Sequence, residues 1–289
     1  YGASVLAGDD NPEVYAHATL DGLVKTRQDI VGPAIYPRSI RQFGVTLPAN
    51  TRPNAGIGPK LVFGAPGEGL NNYIEPTQTF DESMEFKVAG LTIKLVLAPG
   101  ETDDQLYVWI PEKKTLLPGD NFYKAFPNLY AIRGTPYRDV RKWANSLDKM
   151  IAEGPEHLVP SHTRPISGKA KIAETLENYR DAIQFVLDET IAGMNKGKTS
   201  DELAHSIHLP EHLAKQPYLH EYYGTVPWSV RSIFVGHLGW FDGNATNLFP
   251  LAPKDEAQNM ADLVGGTDTL IAKAEVALAD DKFQWAAEL

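Results

Sequence analysis

The stretch LYVWIPEKKTLLPGDNF, residues 106–122, decides how the rest of the chain is read. Leu106, Val108 and Ile110 recur at every second position, the period of a half-buried strand. The residues PEKK break that run, and a second apolar run, Leu116 and Leu117, ends abruptly in Pro-Gly-Asp. Two such runs around a polar turn predict a hairpin with a carboxylate, Asp120, at its end. A charged side chain at the lip of a core is costly unless something compensates it, and a metal ion compensates it well.

Upstream, Met84, Phe86 and Val88 alternate with polar residues, Ala89-Gly90 supplies a tight turn, and Leu91, Ile93, Leu95 and Leu97 alternate on the return. Downstream, Val140, Trp143, Leu147 and Met150 or Ile151 follow helical spacing through residues 138–152, and HLVPSH reads as a strand running into a loop. The first fifty residues predict a short helix, a strand at Val14–Ala16 and a second helix. Residues 48–76 are dense in Pro, Gly and Asn, which predicts long connections around a short strand at Leu61–Phe63. Strands alternating with helices give an α/β or sandwich-type first domain, residues 1–168. Beyond it the pattern turns helical: Ile172, Leu176, Tyr179, Ile183, Val186 and Ile191 line one face. Thr199-Ser200 caps a further helix before DELAHSI, and VPWSVRSIFVGHLGW reads as a helix buried nearly all round. Residues 169–289 are thus expected to form an all-α domain.

Composition narrows the chemistry. Hydrophobic residues make up 43% and charged residues 22% of the 289, as in ordinary globular chains. A formal charge of −10 argues against general affinity for nucleic acid or anionic membranes. No window approaches the roughly 20 apolar residues of a membrane-spanning helix, so no integral membrane contact is expected. There is no cysteine, so any metal site must be built from His, Asp and Glu.

Three such residues stand at the ends of β-segments: Glu101 after KLVLAPG, Asp120 after TLLPG and His162 after HLVPS. Singly, an Asp after Pro-Gly is more often a turn residue, and a His in SHTRP more often a loop hydrogen-bonder. Strand ends nevertheless let short loops converge on one ion. The full segment PGETDDQLYVWIPEKKTLLPGDNFYKAFPNLYAIRGTPYRDVRKW, followed by VPSHTRPISG, resembles the zinc-dependent alkyl sulfatases (dodecyl sulfate hydrolases) of the metallo-β-lactamase superfamily. The segment EYYGTVPWSVRSIFVGHLGWFDGNATNLFPL is similar to their dimerisation domain.

The resemblance implies an α/β metallo-β-lactamase αββα sandwich, truncated at its N-terminus, followed by an α-helical dimerisation domain. It implies zinc as cofactor, an alkyl sulfate as substrate and a homodimer formed through the helical domain. Glu101 and His162 correspond to metal ligands, and Asp120 to the acid that bridges two zinc ions. Arg133, in NLYAIRG, corresponds to the arginine that holds the sulfate, where a planar guanidinium offers two parallel donors. Arg138, Asn71, Asn72 and Tyr223 are further candidates for sulfate contacts.

One departure is serious. The signature His-x-His-x-Asp-His is absent; the eight histidines are 17, 157, 162, 205, 208, 212, 220 and 237. His17 reads as a hydrogen-bonded strand residue, and His205 with His208 as a solvated helix face. In the family the signature is followed closely by Tyr-Gly, and this chain opens YGASVLAG, so it is expected to be an internal slice of a longer enzyme. The slice alone would hold at most one zinc ion weakly, against two in the intact enzyme, with little or no sulfatase activity. A lactonase or thioesterase of the same fold, or a non-catalytic dimerisation module, are the competing readings.

Overall fold

The alternation in residues 83–97 becomes a hairpin. The computed structural model describes residues 3–26, 30–60 and 73–289, so the expected strand Leu61–Phe63 and the candidates Asn71 and Asn72 fall outside the described residues. Strand β3 (Ser83–Val88) pairs antiparallel with β4 (Leu91–Leu97), and Met84, Phe86 and Val88 stand opposite Leu95, Ile93 and Leu91. Ala89 and Gly90 both have positive φ, 49° and 79°, the backbone that lets a two-residue turn follow the twist of its strands. The second hairpin, β5 (Leu106–Ile110) and β6 (Thr115–Leu117), closes through a single 3-10 turn at Pro111–Lys113.

These strands belong to one six-stranded sheet in sequential order, completed by β7 (His157–Leu158) and β8 (Ile166–Ser167). Neighbours run antiparallel except β6 and β7, which are parallel and joined through helix α4 (Val140–Ala152). Before the sheet come α1 (Ala3–Ala7), β1 (Tyr15–His17), α2 (Leu20–Thr26) and α3 (Gly32–Gln42). Strand β1 pairs in parallel with β2 (Gln78–Phe80), with Tyr15 opposite Gln78. The α/β architecture expected from the sequence is present, with helices laid on a mixed sheet.

Helix α4 starts on Asp139, whose carboxylate accepts hydrogen bonds from the Arg141 and Lys142 amides. Its buried stripe, Val140, Trp143, Leu147 and Met150, is the one read from spacing. That stripe packs on α5 (Lys169–Met194), which buries Ile172, Leu176, Tyr179, Ile183 and Val186. Leu116 and Leu158 of the sheet and Val230 and Ile233 of α8 (Val226–Leu238) join the same core. Two compact units result, Tyr1–Trp240 and Phe241–Leu289, and α5, α6 (Ser200–Ser206), α7 (Glu211–Ala214) and α8 all lie in the first. The second holds α9 (Pro253–Val264), α10 (Thr267–Ala279) and α11 (Phe283–Glu288).

Two expectations change. Helix α8 is not buried all round: Trp228, Val235 and Leu238 are exposed on it, as is Trp240 just beyond its end. The run is apolar because one face packs inward and the other carries apolar groups outward. His205 and His208 do not share a helix face, because α6 ends at Ser206, and both are exposed. His17 bonds the Thr19 hydroxyl at 2.8 Å, as a strand-end residue would.

The cap at Thr199 holds as a reciprocal pair. Its hydroxyl accepts from the Glu202 amide at 3.2 Å, and Glu202 Oε2 accepts from the Thr199 amide at 2.8 Å. Thr199→Ala is expected to cost about 1 kcal/mol, measurable by urea unfolding of the first unit. An unchanged midpoint would show that α6 does not depend on its cap. No helix among the described residues is long and apolar enough to cross a membrane.

Candidate functional site

Both acids predicted from the sequence are delivered by a Pro-Gly step, and the glycines have separate reasons. A Cβ on Gly100 would lie 2.8 Å from Asn121 Cγ and 3.0 Å from Trp143 Cγ, closer than atoms can pack. Gly119 has φ of 60°, and a Cβ there would press on the Gln105 amide, 3.2 Å from its carbon. Glu101 therefore leaves β4, and Asp120 leaves β6, on turns that only glycine makes without strain.

Asn121 ties the two turns together and was not singled out by sequence reasoning. It is fully buried; its Nδ2 donates to the Ala98 carbonyl at 2.7 Å, and its Oδ1 accepts from the Glu101 amide at 3.3 Å. Trp143 of α4 donates its indole N–H to the Asn121 carbonyl at 3.0 Å. The only sequence signal was position, an amide next to Asp120 in Gly-Asp-Asn.

His162 follows β7, and its Nδ1 lies 2.7 Å from Asp120 Oδ1. The next residue, Thr163, has φ of 69°, a left-handed conformation unfavourable for a β-branched side chain. Its hydroxyl accepts from the Lys124 amide at 3.2 Å, which holds the turn in place. The contact with Asp120 raises the His162 pKa above its ordinary value against the opposing effect of burial, and the charges of Asp120 and Glu101 add to the rise.

Glu101 is more enclosed, with its side chain 12% exposed. Burial pushes its carboxyl above the ordinary range; Arg138 opposes the shift, the Asp120 charge reinforces it, and Arg133 opposes it further. Glu101 Oε1 accepts from Arg138 Nη2 at 2.8 Å, and Oε2 makes no bond among the described residues. Arg138 also donates from Nη1 to the Asn128 carbonyl.

Arg133 is half-buried on the loop between β6 and α4. Helix α3 holds its backbone: Arg38 donates to the carbonyls of Arg133 and Ile132, both at 2.7 Å, and Gln42 accepts from the Arg133 amide at 2.9 Å. Arg38 and Gln42 lie more than ninety residues upstream, and no motif marks them. Arg133 Nη1 donates to the Tyr223 hydroxyl at 3.5 Å, which leaves the phenol proton free for another acceptor. Burial raises the Tyr223 pKa, with Arg133 opposing, so the phenol stays neutral near pH 7. Tyr223 packs edge-on against buried Tyr123, centroids 5.8 Å apart, in a small apolar cluster with Ile57 and Ala125. Its loop fits closely because Gly224 has no Cβ; one would lie 2.6 Å from the Pro127 carbonyl carbon.

The structure thus brings together Glu101, Asp120, His162, Arg133, Arg138 and Tyr223. They form three bonded pairs, Asp120 with His162, Glu101 with Arg138 and Arg133 with Tyr223, and the charges of Asp120 and Arg133 both act on Glu101. The donor types, two carboxylates and an imidazole, suit a zinc ion. Among the described residues no three such groups converge closely enough to hold an ion by themselves.

The family model for alkyl sulfatase dimerisation matches residues 199–289. A linear primary-alkylsulfatase from a Pseudomonas species is 40% identical over 280 residues, covering 96% of this chain and 52% of the relative. An alkyl/aryl-sulfatase from Saccharomyces cerevisiae is 30% identical over 265 residues, covering 90% of this chain and 41% of the relative. The solved structure of a stereoselective inverting sec-alkylsulfatase from Pseudomonas sp. superposes with a TM-score of 0.89 at 26% identity, over 100% of this chain and 46% of that one. The chain spans about half the length of the curated relatives it matches. A sequence alignment over nearly the whole chain, together with the matched backbone fold, leads to one conclusion: the chain belongs to the alkylsulfatase family.

Proposed function

We propose that the whole protein hydrolyses alkyl sulfate esters to an alcohol and inorganic sulfate at a zinc centre to which Glu101, Asp120 and His162 contribute. This reading is supported by two pairs, Arg133 with Tyr223 and Asp120 with His162, and by the charges of Arg133 and Asp120 that both act on the Glu101 carboxyl. A sulfate ester needs an anion-binding group next to an electrophilic centre, and this arrangement supplies the first and donors for the second. A zinc ion, when bound, supplies Lewis acidity toward the ester oxygens.

The chain's own residues do the remaining work. Arg133 is a permanent cation whose Nε and Nη2 make no bond among the described residues, which leaves a fork for two sulfate oxygens. Tyr223 orients that fork and has a proton to donate. The apolar cluster around Tyr123 keeps water from one side of the pair, where hydrogen bonds to an anion are stronger. Arg133 then remains as counter-charge to the departing sulfate. The candidates Asn71 and Asn72 stand as proposed sulfate contacts on the resemblance alone.

A substrate comparison tests the assignment. Zinc-loaded protein carrying this chain at full length is expected to turn over dodecyl sulfate and to leave a lactone and a thioester essentially untouched. Faster turnover of the lactone or thioester would overturn the sulfatase reading.

We further propose that residues 169–289 serve as a helical portion that pairs two copies of the chain. Support comes from the dimerisation model matched at 199–289 and from large apolar side chains left exposed, Trp228 and Val235 on α8 and Phe249, Leu263 and Trp285 in the second unit. Large apolar side chains left exposed within each unit suit burial against a partner. Sedimentation equilibrium at micromolar concentration is expected to give twice the chain mass; a clean monomer would overturn the pairing.

A further inference from the structure

The chain is acidic as a whole, with 37 Asp and Glu against 27 Lys and Arg, yet the turn that carries His162 is flanked by cations. Thr163, next to His162, accepts the Lys124 amide on its hydroxyl at 3.2 Å, which sets Lys124 beside the backbone just before Arg164. Strand β8 and the start of α5 follow at once, so Lys171 stands in the first turn of α5. Burial lowers the Lys124 pKa, and the charges of Lys171 and Arg164 lower it further; no acid is among the groups that act on it. Arg164 and Lys171 are exposed and Lys124 is partly buried. None of the three side chains makes a hydrogen bond or ion pair among the described residues.

Like charges gathered without a counter-ion repel one another and leave a positive field that is not neutralised locally. An anionic substrate meets net repulsion from a chain of charge −10. At physiological salt, however, the Debye length is about 8 Å, so charges close to its path decide what it feels on final approach. Attraction of this kind needs no directed contact, and so no particular orientation of the three side chains.

We propose that Lys124, Arg164 and Lys171 form a steering patch that speeds capture of an anionic alkyl sulfate beside His162 and takes no part in its cleavage. The substrate is that of the sulfatase reading above, on which the proposal rests; the capture step itself requires neither hydrolysis nor a bound metal. The Lys124 amide that bonds Thr163 belongs to the backbone, so replacing the side chain leaves that contact in place.

The probe is decyl sulfonate below its micelle-forming concentration, which carries the headgroup charge and has no ester bond to cleave. Its association rate with the full-length protein is read by stopped-flow tryptophan fluorescence at about 0.01 M and about 1 M salt, where the Debye length is about 30 Å and about 3 Å. The combined variant Lys124→Gln, Arg164→Gln, Lys171→Gln is expected to lower the on-rate about tenfold at the lower salt and less than about twofold at the higher. Its kcat for dodecyl sulfate is expected to be unchanged. Lys196→Gln with Lys198→Gln, at the far end of α5 and roughly 40 Å away by the helical rise, is expected to alter neither rate. Circular dichroism establishes that each variant is folded. Should the combined variant fail to fold, Lys171→Glu replaces it, since an acid suits the first turn of a helix, and a fall of about threefold at the lower salt is expected. An on-rate unchanged by removal of the patch, lowered equally at both salts, or lowered as much by the distant pair overturns steering and leaves the sulfatase reading standing. A fall in kcat overturns the separation of capture from cleavage. A wild type whose capture of the sulfonate depends on the patch, but which cleaves no sulfate ester, supports steering and overturns the sulfatase reading.

Discussion

Arg133→Met in the zinc-loaded, full-length protein is expected to lower kcat/KM for dodecyl sulfate about a hundred- to a thousand-fold, the loss typical when one preorganised donor to a developing anion is removed. The side chain is half-buried, its backbone is clamped by Arg38 and Gln42, and no acid among the described residues bonds its fork. Methionine keeps the length and the apolar stem but removes every donor. Arg133→Lys should recover little, since a single ammonium cannot offer two parallel donors. Tyr223→Phe removes only the orienting hydroxyl and should cost less than either. Steady-state kinetics across the three variants gives the order, and a fall below tenfold for Arg133→Met would detach this residue from the sulfate.

Trp143→Ala is the substitution expected to cost most stability, about 3–5 kcal/mol. The indole is fully buried between the sheet and α5 and is among the largest side chains so enclosed. Its N–H also anchors Asn121, so the cavity opens beneath the link between the Glu101 and Asp120 turns. Against a typical total stability of about 5–15 kcal/mol, a loss of this size approaches unfolding of the first unit. Trp143→Phe fills most of the space and should lose only the hydrogen bond, about 1 kcal/mol. Urea unfolding followed by circular dichroism separates the two. A Trp143→Ala midpoint close to the wild type would show that the core repacks around the gap.

The parts of this molecule that sequence made legible are those whose determinants lie close together in the chain. The 83–97 hairpin is carried by alternation and two turn residues, and the α4 and α5 faces by helical spacing. Glu101, Asp120 and His162 could be picked out because each closes a strand with a turn, and the family resemblance then grouped them. The parallel pairing of β1 with β2 joins residues 63 apart across loops without periodicity, so nothing local announced it. Strand β8 is two residues long, too short for any period, whereas β7, equally short, was read from the run HLVPSH. Helix α3 carries Pro37 in its interior, which normally argues against a helix, and yet it supplies the clamps on Arg133. Asn121 was hidden for a different reason: a buried amide is recognisable as structural only when the groups it bridges are known.

The close fit of Gly100 against Asn121 also bears on how the family can diverge. Position 100 has no room because position 121 fills it, and position 121 is filled because two turns need one side chain between them. Neither site can drift alone. A methyl group at the first should be tolerated only on a background where the second has shrunk, so the two should covary among relatives and show strong epistasis in a pairwise mutational scan.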